Sequence, residues 1–441
     1  MRTIKQFGIF LQLFYHKLYV NSRFLKLACL AFLFFPYLSI SAGHPYYDII
    51  VAADGSGDYT TITGAVNALP MFNYERIVIY IRNGIYNEKI RIEQDNVTLL
   101  GESRDSTIIC FNQLRTDWIN NKDHIGPAVI NIHADDIILE NLTVKNTQPE
   151  IGPHAFAVYG TGTRTIIVNC NVLSKGGDTL SLWNYKNGKY YHSKCYFEGS
   201  VDFVCPRGWC YIGDSKFYEL KKTAAIWHAG SADRNQRLVI SNSYFDGVEG
   251  FNLGRHHYDA QFFLLNCSFS ENMADIPIFR VLYENEPERN RPKIFGDRYY
   301  YYNCHRAGGD YEWFSDNLNK KEDFTNPCIE DITAEWTFDG LWNPESKEKP
   351  CISSFKIDDK SLILNFNEPL TIRGNLTLKT HTGKILEYST GRGRNIIIFT
   401  SEDSLTMQDF NRNVMIIDGA IAPVKATVYD RTLKEEINLN L

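Results

Sequence analysis

The sequence predicts an all-β chain, a right-handed parallel β-helix followed by a small β-sandwich of immunoglobulin-like type. Two observations predict it. The first is a short pattern that recurs from residue 90 to 305: a turn-forming polar residue, a small or apolar residue, any residue, then a hydrophobic one. Its instances begin at Asn96, Asn141, Asn169, Lys194, Asp214, Asn242, Asn266 and Asn303, and successive instances lie 45, 28, 25, 20, 28, 24 and 37 residues apart. A motif returning at about 20 to 30 residues is what a solenoid of short strands produces, and the longer gaps are expected to be loops. The second is a change of character after Trp336, Trp342 and Pro344, where a charged, proline-bounded stretch leads into alternating strands.

At the amino end, residues 1–42 carry Arg2, Lys5, Lys17, Arg23 and Lys26 and no acid, then run through apolar Leu27 to Leu38 into small residues. This reads as a secretory signal, so a secreted or periplasmic product with no membrane span after processing is expected. Loss of those five basic residues takes the formal net charge from −6 to −11, which argues against a nucleic-acid partner. Thr61 to Leu69 has the cap and apolar spacing of one short helix that could close the end of the solenoid. Ile77 to Ile81 reads as the first buried strand, with a turn at Asn83-Gly84.

Within each repeat the second and fourth residues face the same way, so Cys or Ser and then Phe or Val should line a common interior. Asparagine suits the bend before the strand because it tolerates left-handed backbone. The sequons at Asn96, Asn141 and Asn266 are therefore read as turn residues. Cys29 lies in the signal, and nine cysteines remain. They are expected to be mostly reduced and buried, with Cys205 and Cys210 the first choice for a bridge. Residues 45–345 form the predicted helix. Residues 351–441 form the sandwich, with a hairpin at Phe355-Lys356-Ile357, Asp358-Asp359 and Leu362-Ile363-Leu364, and further strands at Leu376–Leu378, Ile396–Ile398 and Val414–Ile416.

Asp178 lies eight residues after Cys170 and Asp202 seven after Cys195, so the two occupy nearly equivalent places on consecutive coils. Stacked coils sit about 4.8 Å apart. Two carboxylates that close do not both ionise easily, so one should keep its proton while the other stays charged. That division supplies a general acid and a nucleophile. A pair of ordinary turn aspartates is the alternative reading.

The segments around these residues resemble the pectin methylesterase family; the departures described below make it a divergent member, and the appended sandwich, which resembles those of bacterial surface enzymes, a bacterial-type one. Gly55-Ser56-Gly57-Asp58-Tyr59-Thr60-Thr61-Ile62 is similar to its amino-terminal signature, and Gly84-Ile85-Tyr86-Asn87-Glu88 to its Gly-x-Tyr-x-Glu turn. Asp178-Thr179-Leu180, Val201-Asp202-Phe203-Val204 and Leu253-Gly254-Arg255 are similar to its acid/base, nucleophile and arginine segments. The resemblance implies an esterase that hydrolyses the methyl esters of galacturonate in pectin and releases methanol. Asp202 would attack the carbonyl, Asp178 would protonate the departing methanol and then activate water, and Arg255 would hold Asp202. It implies no metal and no organic cofactor, a pectin polysaccharide as partner, and a monomer.

The chain also departs from that pattern. The family's two oxyanion glutamines fall at His154 and Gly177. His154 could donate through its ring, and backbone amides near Gly176-Gly177 could substitute. His256-His257 follows Arg255 in place of Pro-Trp, Trp183 could supply the missing sugar-stacking face, and Cys205-Pro206-Arg207 replaces the usual Phe-Gly-Asn run. With Phe203, Arg207 and His257, these residues make up the expected substrate-binding set. Lys175, Arg234 and Arg237 are further candidates for substrate carboxylates. Two kinds of alternative stand beside the esterase. One is a polysaccharide lyase or glycosidase on the same fold; the other is a catalytically inactive pectin-binding protein.

Overall fold

All eight bends of the recurring pattern adopt left-handed backbone, with φ between 50° and 61° at Asn96, Asn141, Asn169, Lys194, Asp214, Asn242, Asn266 and Asn303. The side chains there also pair from coil to coil. Asn169 Nδ2 donates to Asn141 Oδ1 at 2.9 Å, and Asn303 Nδ2 to Asn266 Oδ1 at 2.8 Å. The three sequon asparagines thus serve the turns, as expected. The structure, a computed structural model, describes residues 47–73, 75–230, 233–318 and 327–439. The expected signal at 1–42 lies outside the described residues.

Repetition of that bend produces a parallel β-helix. Among the described residues, ten strands from Ile49–Val51 to Arg298–Tyr302 form one parallel sheet, and nine from Gly84–Asn87 to His305–Arg306 form a second. The third wall is divided. Ile90–Ile92, Ala128–Ile132, Phe156–Gly160 and Leu180–Leu182 form one part; Ala224–Trp227, Asn252–His256 and Phe279–Arg280 form the other. Single bridges from Val204 to Leu180 and to Ile226 are the connection across the gap.

The interior follows from the second and fourth pattern positions. Phe197, Phe217, Phe245 and Phe269 stand in register on successive coils. Their ring centroids are 5.3, 4.2 and 5.7 Å apart, and all four are buried. Cys170, Cys195, Cys267 and Cys304 fill the small positions of the same core. Because Phe217 touches a ring on either side, Phe217→Ala is expected to destabilise the protein by about 3 to 5 kcal/mol, read as a lower urea midpoint. An unchanged midpoint would show that the stacked column contributes little.

The cap helix runs Ile62–Asn67, with Thr61 Oγ1 accepting from Gly64 N, and buries Ile62, Ala65 and Val66. Glu88, at the end of the Gly-x-Tyr-x-Glu turn, accepts from the Ile62 and Thr63 amides at 2.9 and 2.8 Å. Two segments that looked like separate signatures in sequence are therefore one structural unit.

The carboxyl-terminal strands are antiparallel. Ile352–Asp358 pairs with Ser361–Lys379 through the expected hairpin at Asp359, whose φ is 48°. Leu376–Leu378 is not a separate strand. It continues the same 19-residue strand, whose first half pairs with Ile352–Asp358 and Arg394–Thr400 and whose second half pairs with Asn413–Pro423 and Ile385–Thr390. Irregular register near Asn365–Leu370 lets one strand serve both sides of a core built on Leu362, Leu364, Ile372, Leu378 and Phe399. These strands do not stand clear of the helix. Trp342 Nε1 donates to Ala426 O at 2.8 Å, the Ala426 amide donates to Asp136 Oδ1 at 2.9 Å, and Phe338 and Trp342 pack on Val168 and Tyr191.

Candidate active site

The site lies at the gap in the third wall. The Leu180–Val204 bridge, followed back two residues, sets Asp178 opposite Asp202 on the next coil. The Asp178 amide donates to Val201 O at 3.2 Å, and the Leu180 amide to Phe203 O at 2.8 Å. Asp178 (φ 56°), Val201 (φ 49°) and Asp202 (φ 56°) all lie in the left-handed region. Aspartate visits it at modest cost; a β-branched valine does so rarely, at a cost on the order of 1 to 3 kcal/mol.

Three contacts hold this geometry. The Val201 amide donates to Thr223 Oγ1 at 3.2 Å, the Thr223 hydroxyl donates to Glu219 Oε1 at 3.3 Å, and the Asp202 amide donates to Ala224 O at 2.7 Å. Glu219 is fully buried, and burial pushes its pKa up to about 9, so it stays protonated at neutral pH.

Arg255 holds Asp202 with both arms of its guanidinium: Nε lies 2.8 Å from Oδ1 and 3.1 Å from Oδ2, and Nη2 lies 2.8 Å from Oδ2. Burial nevertheless pushes Asp202 up to about 6, with Arg255 opposing the shift and Asp178 adding to it. Asp178 is also raised, again by burial, while His154, Arg207 and Arg115 pull it back. At neutral pH the carboxyl held by the arginine is therefore the one suited to be charged. Its neighbour Asp178 has no such clamp.

His154 Nε2 lies 3.7 Å from Asp178 Oδ1, on a half-exposed side chain. Gly177 is directly beside it through a parallel bridge, but the backbone there offers no spare donor. The Gly177 amide donates to Pro153 O at 3.0 Å and the Gly176 amide to Ser174 Oγ at 2.9 Å, so the expected backbone substitute for an oxyanion donor is already engaged. A Cβ at position 177 would come 3.1 Å from Val201 O, so a larger side chain there would press on the strained turn.

The remaining expected residues divide. Trp183 is not open for stacking alone: the Arg207 and Arg115 guanidinium carbons lie 4.1 and 5.7 Å from its ring centroid. Arg207 also lies 4.8 Å from the Trp227 ring. His257 accepts from Trp227 Nε1 at 2.7 Å and stacks on Tyr283 at 4.5 Å. Burial lowers its pKa to about 4, so it is neutral.

Phe203 is a correction. It is fully buried in the helix core and presents nothing to a substrate, because the two left-handed residues before it break the strand's alternation. Arg237 is committed elsewhere, paired with Asp339 and stacked on Trp336, while Lys175 is exposed and Arg234 lies 6.0 Å from the Phe295 ring. Cys205 and Cys210 are both free: Cys205 Sγ lies 3.2 Å from Ser181 Oγ beside Trp227, whereas Cys210 points into the core. Of the other histidines, His228 Nε2 contacts Gly208 O at 2.6 Å and His256 contacts Tyr258 O and the Tyr299 hydroxyl. Sequence reasoning did not single out Arg115, Trp227, Tyr283 or Glu219.

Residues 48–249 match the family model described as Pectinesterase. Probable pectinesterase 56 of Arabidopsis thaliana is 34% identical over 162 residues, covering 36% of this chain and 54% of that protein. Probable pectinesterase/pectinesterase inhibitor 19 of the same plant is 33% identical over 172 residues, covering 38% of this chain and 31% of that protein. The chain thus spans between 31% and 54% of the length of these relatives.

Among solved structures, the pectin methylesterase PemA from Erwinia chrysanthemi superposes with a TM-score of 0.54 at 22% identity, covering 68% of this chain and 98% of that one. A pectin methylesterase in complex with a hexasaccharide gives 0.54 at 22%, covering 68% and 99%. The carrot enzyme gives 0.51 at 22%, covering 62% and 88%. These likenesses establish the β-helical fold. The sequence match includes the segment that holds Asp178 and Asp202, so residues 48–249 of this chain are similar to the pectinesterase family.

Proposed function

We propose that the chain is a pectinesterase that hydrolyses methyl esters of galacturonate in pectin through a covalent intermediate. The observation that carries this reading is the pairing of two in-register buried carboxyls, of which only Asp202 is clamped by an arginine. Ionised Asp202 attacks the ester carbonyl carbon, and the His154 ring, beside Asp178, donates to the oxyanion. As the intermediate collapses, the carbon–oxygen bond to methoxide breaks and Asp178 gives its proton to form methanol. Asp178, now charged, takes a proton from water; the resulting hydroxide attacks the anhydride and releases Asp202 as carboxylate. The galacturonic acid product loses its proton to solvent.

The match to pectinesterases and the hexasaccharide bound by a protein of the same fold support pectin as the substrate. The altered residues at positions 154, 177 and 205–207 and the appended antiparallel strands support a divergent member, and the amino-terminal apolar stretch supports export.

The test is methanol release from highly methylated galacturonan, with chain length followed in parallel. Methanol without shortening is expected. Shortening, or no methanol from any methylated pectin, would overturn the reading.

A further inference from the structure

Cys205 stands where the pectin methylesterase pattern has phenylalanine, so a polar atom enters the site at a place the pattern fills with an apolar ring. The residue is buried on the coil after Asp178, next to Val204, whose single bridge to Leu180 crosses the gap in the third wall. Its thiol lies within hydrogen-bonding reach of the Asp178 carboxyl. Burial pushes that thiol well above its ordinary range, so Cys205 keeps its proton and is a donor, not a nucleophile.

The neighbours set the direction in which the proton points. An indole N–H only donates. Trp183 Nε1 donates to Ser181 Oγ at 2.7 Å, and Cys205 Sγ lies 3.2 Å from the same oxygen. The Ser181 hydroxyl therefore donates to Cys205 Sγ; the reverse would leave the Ser181 proton, which is fully buried, with no acceptor among the described residues. The Cys205 S–H is left with two acceptors, Leu180 O at 3.5 Å and the Asp178 carboxyl. Leu180 O already accepts the Cys205 amide at 3.0 Å, and a carboxylate is the stronger acceptor.

Among the described residues, no other side chain hydrogen-bonds the Asp178 carboxyl. His154 Nε2 stands 3.7 Å away. The remaining groups that face it, Arg207, Arg115 and Asp202 with its partner Arg255, act through charge.

We propose that Cys205 is a positioning residue for Asp178, and that the chain from Trp183 through Ser181 to Cys205 ends in an S–H hydrogen bond that fixes the orientation of the Asp178 carboxyl. A donor aimed at a carboxylate also favours its charged form, the form that takes a proton from water in the second half of the reaction. The inference rests on the acid/base role given to Asp178 above, but its first readout needs no turnover.

The test compares Cys205→Val, apolar and of similar size, with Cys205→Ser, which keeps a donor. The titration of Asp178 is followed by carbon-13 NMR on protein labelled at the aspartate carboxyl carbons, with Asp178→Asn to assign the signal. The midpoint is expected to rise by about half a pH unit or more in Cys205→Val and to stay at or below the parent value in Cys205→Ser. Ser181→Ala should raise it by a smaller amount, because the incoming bond polarises the thiol. In methanol release, Asp178 must carry a proton to give, so the alkaline limb of the profile should move up with the midpoint in Cys205→Val. There kcat should fall several-fold with KM within about twofold of the parent, while Cys205→Ser keeps the parent profile. A midpoint unmoved in Cys205→Val, or raised equally in Cys205→Ser, would overturn the assignment and leave Cys205 as packing alone. If Cys205→Val does not fold by near-ultraviolet circular dichroism, Cys205→Ala takes its place. A parent that releases no methanol, with the midpoint still tied to the donor, would retain the thiol's hold on Asp178 and lose the esterase.

Discussion

Asp202→Asn is expected to reduce methanol release by at least about 10⁴-fold and, at the same time, to raise the melting temperature near neutral pH. The first effect is the loss of the nucleophile. The second follows from the raised pKa of about 6 against an ordinary value of 3.8, a difference on the order of 3 kcal/mol between the two protonation states. A carboxyl whose folded pKa is raised contributes stability that is complete below its unfolded value and is lost as pH rises through its folded value. The parent must therefore become less stable between pH 3.8 and about 6 as Asp202 ionises, whereas the asparagine variant has nothing to ionise. The two melting curves should coincide at acid pH and separate by several degrees at neutral pH. Asparagine also tolerates the left-handed backbone at this position, so no new strain masks the gain. A variant that is inactive and less stable at neutral pH would mean that the pair with Arg255 outweighs the burial of the carboxylate.

That trade is consistent with the turn before it. Two consecutive left-handed residues, one of them valine, are held by hydrogen bonds from three sides. The protonated Glu219 lies beneath them. Strain is concentrated where Asp202 projects out of a wall whose strands otherwise run parallel, and this is also the place where the third wall is reduced to single bridges.

How much of this could be read in the sequence depended on whether the information was periodic. The bends at Asn96 through Asn303 were legible because each repeats a local requirement for left-handed backbone, and because a small residue and then a large one must follow for the core to fill. The dyad was legible for the same reason, since Asp178 and Asp202 hold equivalent offsets from Cys170 and Cys195. Phe203 was not. Its inward orientation depends on two left-handed residues that break the alternation, a feature no spacing rule encodes. Arg115 was equally hidden, because the excursion between the strands Thr107–Phe111 and Ala128–Ile132 that carries it follows no period. The amides of Gly176 and Gly177 looked available only until the pairing with Pro153 and the Ser174 side chain was visible.

Arg255→Gln is the other substitution with a large expected effect, and its signature is a shift along the pH axis as well as a loss of rate. The guanidinium is what holds Asp202 down to about 6 against burial and the nearby Asp178. Without it, the carboxyl should stay protonated to higher pH, and the acid limb of the pH–rate profile should move upward from about 6. Removing one partner of a buried, hydrogen-bonded charge pair typically costs about 2 to 5 kcal/mol, so a fall of about 10²- to 10³-fold is expected near neutral pH, partly recovered on raising the pH. The upper limit of that recovery is set by Asp178, which must still carry a proton to give to methanol. Arg255→Lys keeps the charge but not the two-armed geometry, and should lose less rate with a smaller displacement of the limb. A uniform drop across all pH values, with the limb unmoved, would show that Arg255 orients Asp202 without setting its ionisation.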